Sequence, residues 1–213
     1  MFEFLIKYYD RILLLFFQHL MLTIVSLGIA LLIALPIGVL LTRIRWVSVP
    51  VLAFLGILYS IPSLAMFAFL IPVVGLGVKP AVIALIAYSQ LILVRNVMVG
   101  FQSIDPAIIE AGKGMGLGSF RLFWKIELPL ALPVILGGIR IATISIIGIA
   151  TIAAWINAGG LGVILFEGLY QNHTPKMIWG TIFVSFLAIV SNQLLLSLEK
   201  RSALKVRGEL VSK

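Results

Sequence analysis

Residues 20–42 read LMLTIVSLGIALLIALPIGVLLT, a run without one charged side chain. A helix rises about 1.5 Å per residue, so a run of this length reaches across the ~30 Å hydrocarbon core of a bilayer. The pattern recurs along the chain. No Asp, Glu, Lys or Arg falls between Arg45 and Lys79, between Lys79 and Arg95, between Arg140 and Glu167, or between Lys176 and Glu199. Five spans are predicted, at residues 20–42, 50–72, 80–100, 132–156 and 177–198. The expected fold class is an all-α integral membrane protein with about five transmembrane helices.

Composition leads to the same place. Of the 213 residues, 62% are hydrophobic and 11% charged, against ~25% charged in a typical soluble domain. A chain this short has too much surface for its volume to bury so much apolar area in one soluble core. A lipid bilayer removes that conflict. Cysteine is absent, which excludes disulfides and thiolate metal or redox centres. The two histidines, His19 and His173, lie far apart. Zinc needs three or four converging ligands, so no metal site is expected. The net charge of +8 does not point to nucleic acid, because the basic residues flank apolar runs instead of forming a patch on a soluble face.

Counting Lys and Arg sets the orientation. Lys7, Arg11, Lys79 and Lys176 fall on one side. Arg43, Arg45, Arg95, Lys113, Arg121, Lys125, Arg140, Lys200, Arg201, Lys205, Arg207 and Lys213 fall on the other. The richer side is cytoplasmic, which places the N-terminus outside and the C-terminus inside. Arg95 and Arg140 lie near span ends, where long basic side chains snorkel to headgroups; lining a polar cavity is the alternative. Residues 1–19 are expected as a separate extracytoplasmic interfacial helix, with Phe2, Leu5, Ile6 and Tyr9 at helical spacing and Glu3, Lys7 and Asp10 between them. The membrane-spanning body then covers 20–198, and 199–213 is a cytoplasmic tail of alternating charge.

The loop at 102–130 is organised. Asp105-Pro106 reads as a helix start, with the carboxylate capping free N–H groups and proline at the first helical position. That helix should run to about Met115. Gly114, Gly116 and Gly118 break it. Ser119 then caps a second short helix, with Phe120, Phe123 and Trp124 as an apolar stripe and Pro129 as its end. Two readings fit: a hairpin lying on lipid, or a rigid knob inserted into a cytoplasmic protein.

The residues of this loop resemble a known family. Glu110-Ala111-Gly112, three residues, Gly116, nine residues, then Ile126-x-Leu128-Pro129 is similar to the cytoplasmic loop signature of permease subunits of binding-protein-dependent ABC importers. The spacing matches throughout; Gly112 replaces a second alanine. The resemblance implies the type I importer permease fold. It also implies that this loop couples the permease to a separate ATP-hydrolysing subunit, through Asp105, Glu110, Ala111, Gly112, Gly116, Ile126 and Pro129. ATP and Mg would be bound by that partner, with no cofactor in this chain and no enzymatic activity of its own. A second permease copy or paralogue and an external solute-binding protein are implied as further partners. Tyr59-Ser60-Ile61-Pro62-Ser63, Gly75-Leu76-Gly77 and Ala158-Gly159-Gly160-Leu161-Gly162 resemble the osmoprotectant branch, which carries glycine betaine, carnitine or choline in the bacterial cell membrane. The methionine-importer branch is the nearest competitor.

No Asp, Glu or Lys lies deep in any predicted span, where a proton- or sodium-coupled carrier places its ionisable sites. Ser60, Ser63, Thr143 and Ser145 are candidates to line a path; the alternative is hydrogen bonding between helices. Gly159 and Gly160 are either a plain turn or an external gate. The aromatic cage for a quaternary ammonium is expected in the binding protein, with Trp46, Trp155 and Trp179 as interface anchors. A passive channel would need no coupling knob. An intramembrane enzyme would need a nucleophile–base pair or a metal set, and the sequence offers no catalytic candidate.

Overall fold

The computed structural model describes the backbone of residues 2–206 and the side chains of residues 5–206. Phe2 and Glu3 of the expected N-terminal stripe, and the end of the tail at 207–213, therefore lie outside the described side chains. The described chain is helical throughout: α1 (Phe2–Arg43), α2 (Arg45–Ser60), α3 (Ser63–Val74), α4 (Val78–Gln102), α5 (Pro106–Gly114), α6 (Ser119–Leu122), a π-helical turn (Phe123–Glu127), α7 (Leu128–Ile152), a 3₁₀ turn (Ala153–Ile156), α8 (Gly162–Tyr170) and α9 (Thr174–Val206).

Four of these helical stretches are long and apolar enough to cross a membrane: Leu5–Arg43, Val78–Gln102, Ser119–Ile156 and Thr174–Val206. The second predicted span, at 50–72, is not one helix. It is α2 and α3, bent by 94° at Ile61-Pro62, and counts as a fifth span only if the bent pair is taken as one. Pro62 has no N–H to continue the ladder and pushes Ile61 into extended backbone (ψ 128°). The carbonyl of Ile61 instead accepts from the Tyr88 hydroxyl at 2.7 Å. The expected spans at 20–42, 80–100, 132–156 and 177–198 fall within α1, α4, α7 with its 3₁₀ turn, and α9.

Residues 5–19 do not form a separate helix. They continue into α1, whose backbone leaves helical geometry inside only at Tyr8 (φ −122°, ψ 20°). Ile12 and Leu15 are buried with Ile147, Leu161, Ile164 and Leu187, so this segment packs against α7, α8 and α9. The tail is likewise helical to Val206, continuous with α9.

The core is built around α4. Ala81, Ala84, Leu85, Ser89, Leu93, Val94 and Val97 are all buried there, against α1, α2 and α7. Small residues set the spacing: a methyl group added to Gly138 of α7 would lie 2.4 Å from Asn96 Cβ of α4. Close helix approach through small side chains is how membrane helices pack when lipid competes for every apolar surface. In contrast, α2 buries none of its residues within the chain.

Arg140 is paired within the chain. Its Nε donates to Glu199 at 2.8 Å and its Nη1 to Asn192 at 3.3 Å. The charge is met by α9, from a residue assigned to the tail on sequence grounds.

Candidate functional site

The hairpin between α4 and α7 is built from local chemistry. Asp105 accepts from the Ala107 N–H at 2.9 Å and Pro106 occupies the first helical turn, which starts α5 as the sequence predicts. The helix closes on Gly116 (φ 80°). Leu117 N–H donates to the Gly112 carbonyl at 3.2 Å, and Gly116 N–H to that of Lys113 at 2.9 Å. That is the Schellman pattern, which requires left-handed backbone at this one position. Gly114 and Gly118 do not share it: Gly114 is helical, and Gly118 is extended (φ −67°, ψ 160°) at the N-cap of α6. Ser119 therefore does not cap; it is the first residue of α6 and makes no cap bond.

Pro129 does not end the second helix either. Residues Ser119–Ile156 follow one helical path, with the π-turn just before the proline. There the Leu128 N–H reaches the Phe123 carbonyl, five residues back. A turn of wider register is a natural neighbour for a residue that lacks a donor.

The signature residues divide between two faces. Gly112 is buried inside the hairpin: an added Cβ would lie 2.7 Å from Leu122 Cδ1 and 2.9 Å from Ile126 Cδ1. Its smallness lets α5 lie on α6 and the π-turn, where the sequence reading had it meeting a partner. Ile126 is the other half of that contact. Glu110 and Ala111 are exposed on α5, and Glu110 forms no ion pair among the described residues. The hairpin thus presents a carboxylate and a nearly bare helix surface outward, on a body stiffened from within.

At the far end of α7, about 37 Å away at 1.5 Å per residue, lies the second glycine segment. Gly159 and Gly160 are both left-handed (φ 80° and 82°). They rest against α1. Gly160 N–H donates to Gln18 Oε1 at 3.1 Å, and Leu161 N–H to His19 Nδ1 at 3.2 Å. Because Nδ1 accepts, the ring proton is on Nε2, which faces the Ile147 carbonyl at 3.1 Å. His19 is fully buried and ties α1, α7 and this loop together. Nearby, Glu167 of α8 pairs with both Arg11 and Lys176. Burial of its carboxyl works against ionisation, but the two cations outweigh burial and hold its pKa below the ordinary carboxylate value.

The four hydroxyl candidates lie on three helices, α2, α3 and α7. Ser60 is exposed at the end of α2, and its Oγ donates back to the Gly56 carbonyl at 2.8 Å. Ser63 is half-buried at the start of α3, across the bend. On α7, Thr143 is buried with its hydroxyl donating to the Ile139 carbonyl at 2.7 Å, and Ser145 is half-buried. Among the described residues, no three His, Asp or Glu side chains converge as metal ligands would. The ion pairs Arg43–Glu127 and Arg140–Glu199 and the His19 clasp were not read from sequence. Each joins residues more than fifty positions apart, and neither partner carries a local mark of the other.

Comparison with known proteins places the chain. Residues 26–207 match the family described as the binding-protein-dependent transport system inner membrane component. The chain is 44% identical to the osmoprotectant import permease protein OsmW of Salmonella typhimurium, over 84% of this chain and 86% of that protein. It is 38% identical to the glycine betaine/carnitine/choline transport system permease protein OpuCB of Bacillus subtilis, over 86% and 85%. In fold it superposes on a chain of the MetNI methionine ABC transporter in an inward-facing conformation, with a TM-score of 0.81 and 24% identity over 90% of this chain and 95% of that one. With this match along most of its length, and with the loop signature in register, the chain belongs to the inner-membrane permease family of binding-protein-dependent transport systems.

Proposed function

We propose that this chain is the membrane-spanning subunit of an ATP-driven importer for a quaternary-ammonium osmoprotectant: glycine betaine, carnitine or choline. The observation that carries the cargo is the set of relatives at 36–44% identity, each covering more than four fifths of this chain, whose names are those of osmoprotectant, choline or carnitine permeases. Likeness to the methionine importer is one of fold. In the proposed assembly an external binding protein delivers the solute, two permease chains, identical or paralogous, form the path, and a cytoplasmic ATPase binds ATP and Mg. Glu110 and Ala111 dock on that ATPase. Asp105, Gly112, Gly116, Ile126 and Pro129 give the hairpin its shape. Ser60 and Ser63, at the bend between α2 and α3, and Ser145 face the path. Gly159 and Gly160 shape its outer end.

The test is uptake. Cells lacking other osmolyte systems, given this permease with its cognate partners, should accumulate labelled glycine betaine in high-salt medium. Methionine uptake without betaine uptake would move the chain to the competing branch. Orientation has its own test, because the chain has no cysteine. Asn172→Cys, in the turn between α8 and α9, should react with an impermeant thiol reagent added to intact cells. Lys113→Cys on α5 should react only after the membrane is opened. The reverse pattern would overturn the sidedness and the docking role with it.

A further inference from the structure

Glu127 occupies the variable position of the Ile-x-Leu-Pro motif, and nothing in the spacing of that motif asks for a charge there. Its side chain is nevertheless buried, 4% exposed, in the π-turn. Arg43, the last residue of α1, donates from Nη2 to Glu127 Oε2 at 2.5 Å, with its own side chain 58% exposed. A buried carboxylate is costly to desolvate, and an apolar residue of similar size would often pack there as well or better. Stability alone is thus a weak reason for this pair.

Its position suggests another. Gly112 locks α5 onto Leu122 and Ile126, so α5, α6 and the π-turn move as one body. Besides its chain connections to α4 and α7 and the packing of Ile109 on Val97, Phe101, Ala131 and Ile135, that body meets the bundle through two specific contacts. Phe123 stacks on Phe101 of α4, with ring centroids 5.6 Å apart and planes 8° apart. Glu127 holds Arg43 of α1. The ring stack permits sliding; the charged hydrogen bond fixes direction and distance. The π-turn between them is an irregular register of the kind frequent at functional sites.

We propose that the Arg43–Glu127 pair is the joint through which displacement of the α5 hairpin is passed to α1. Arg43 and Glu127 are then positioning residues for the coupling of ATP hydrolysis to transport. The proposal rests on the importer reading above. It differs from docking: the ATPase still binds and still hydrolyses ATP when the joint is broken, but the stroke is lost.

The experiment uses the complete importer in lipid vesicles and reads glycine betaine uptake and ATP hydrolysis together, so that solute moved per ATP is measured. Glu127→Gln keeps the shape, removes the buried charge and leaves Arg43 to water. It should keep normal ATPase association and hydrolysis while solute per ATP falls about tenfold. Arg43→Gln, which leaves the carboxylate buried and alone, should do at least as much harm. The double variant should be no worse than the worse single one, as expected for two groups acting through one bond. An unchanged ratio in Glu127→Gln, or losses that multiply in the double variant, would overturn the joint. A wild-type importer that moves no glycine betaine would sink the functional reading instead, and the wild-type arm reports that separately.

Discussion

Gly160→Val is expected to reduce uptake at least tenfold, and Gly162→Ala to remove most of the folded protein from the membrane. Gly160 lies in the loop between the 3₁₀ turn and α8, and Gly162 is the first residue of α8; they act differently. Gly160 has φ 82°, where a β-branched residue costs about 1–3 kcal/mol of backbone strain. An added Cβ would also lie 3.0 Å from His19 Nδ1, the atom that accepts the Leu161 N–H. Pushing the imidazole aside leaves that buried N–H unpaired, at about 1–3 kcal/mol more. The sum is a sizeable share of a typical stability of roughly 5–15 kcal/mol, and it falls on the clasp between α1, α7 and the loop before α8. Gly162 meets backbone: its Cβ would lie 1.9 Å from the Thr151 carbonyl oxygen. No rotamer change relieves that, so the end of α7 and the start of α8 must separate. Gly28→Ala, with nothing within 4 Å of an added Cβ, is the matched control and should behave as wild type. The measurements are size-exclusion profiles of the detergent-extracted protein and labelled betaine uptake. Wild-type uptake by Gly160→Val would mean that the loop before α8 tolerates a side chain and that His19 does not fix it.

The residues explain why some of this was readable from sequence. Spans were legible because charge is excluded from lipid-facing helices, so the gaps between Arg43, Lys79 and Arg95 or between Lys176 and Glu199 are themselves the signal. The α5 hairpin was legible because the Asp105 side chain caps and Pro106 and Gly116 act through their own backbone, all within a few residues. The bend at Ile61-Pro62 escaped a reading based on charge, since both arms are equally apolar; Pro62 was the mark that told against a straight span. At 5–19 the sequence pattern marks an amphipathic stripe, and Ile6 and Tyr9 of that stripe are exposed. What the pattern does not mark is the next turn, where Ile12 and Leu15 pack with Ile147, Leu161, Ile164 and Leu187. His19 was set aside as a lone histidine, and only the fold brings Leu161 and Ile147 to its two nitrogens. Gly112 stands where the signature has a second alanine, and the contact its smallness serves is within the hairpin.

That last difference sharpens what disruption of the hairpin should do. Glu110→Ala should leave insertion and folding unchanged, because the side chain is exposed and forms no ion pair among the described residues. If it docks on the ATPase, its loss removes a charge-assisted hydrogen bond of about 1.5–3 kcal/mol, which weakens association roughly ten- to hundredfold. Gly116→Leu reaches the same end by another route. No atom lies within 4 Å of an added Cβ, so a leucine there starts its side chain into open space. It must, however, hold left-handed backbone at about 1–2 kcal/mol, which strains the closure of α5 and places bulk on a bare surface. Gly112→Val differs from both. It wedges against Leu122 and Ile126, 2.7 and 2.9 Å away, and opens the hairpin from inside with no contact to a partner. Co-purification of the ATPase should therefore fall in all three variants and transport should be lost. Heat-induced unfolding of the isolated permease should shift for Gly112→Val and Gly116→Leu but not for Glu110→Ala. Full ATPase association and full uptake in Glu110→Ala and Gly116→Leu would reduce the hairpin to a surface feature and end its assignment as the docking element.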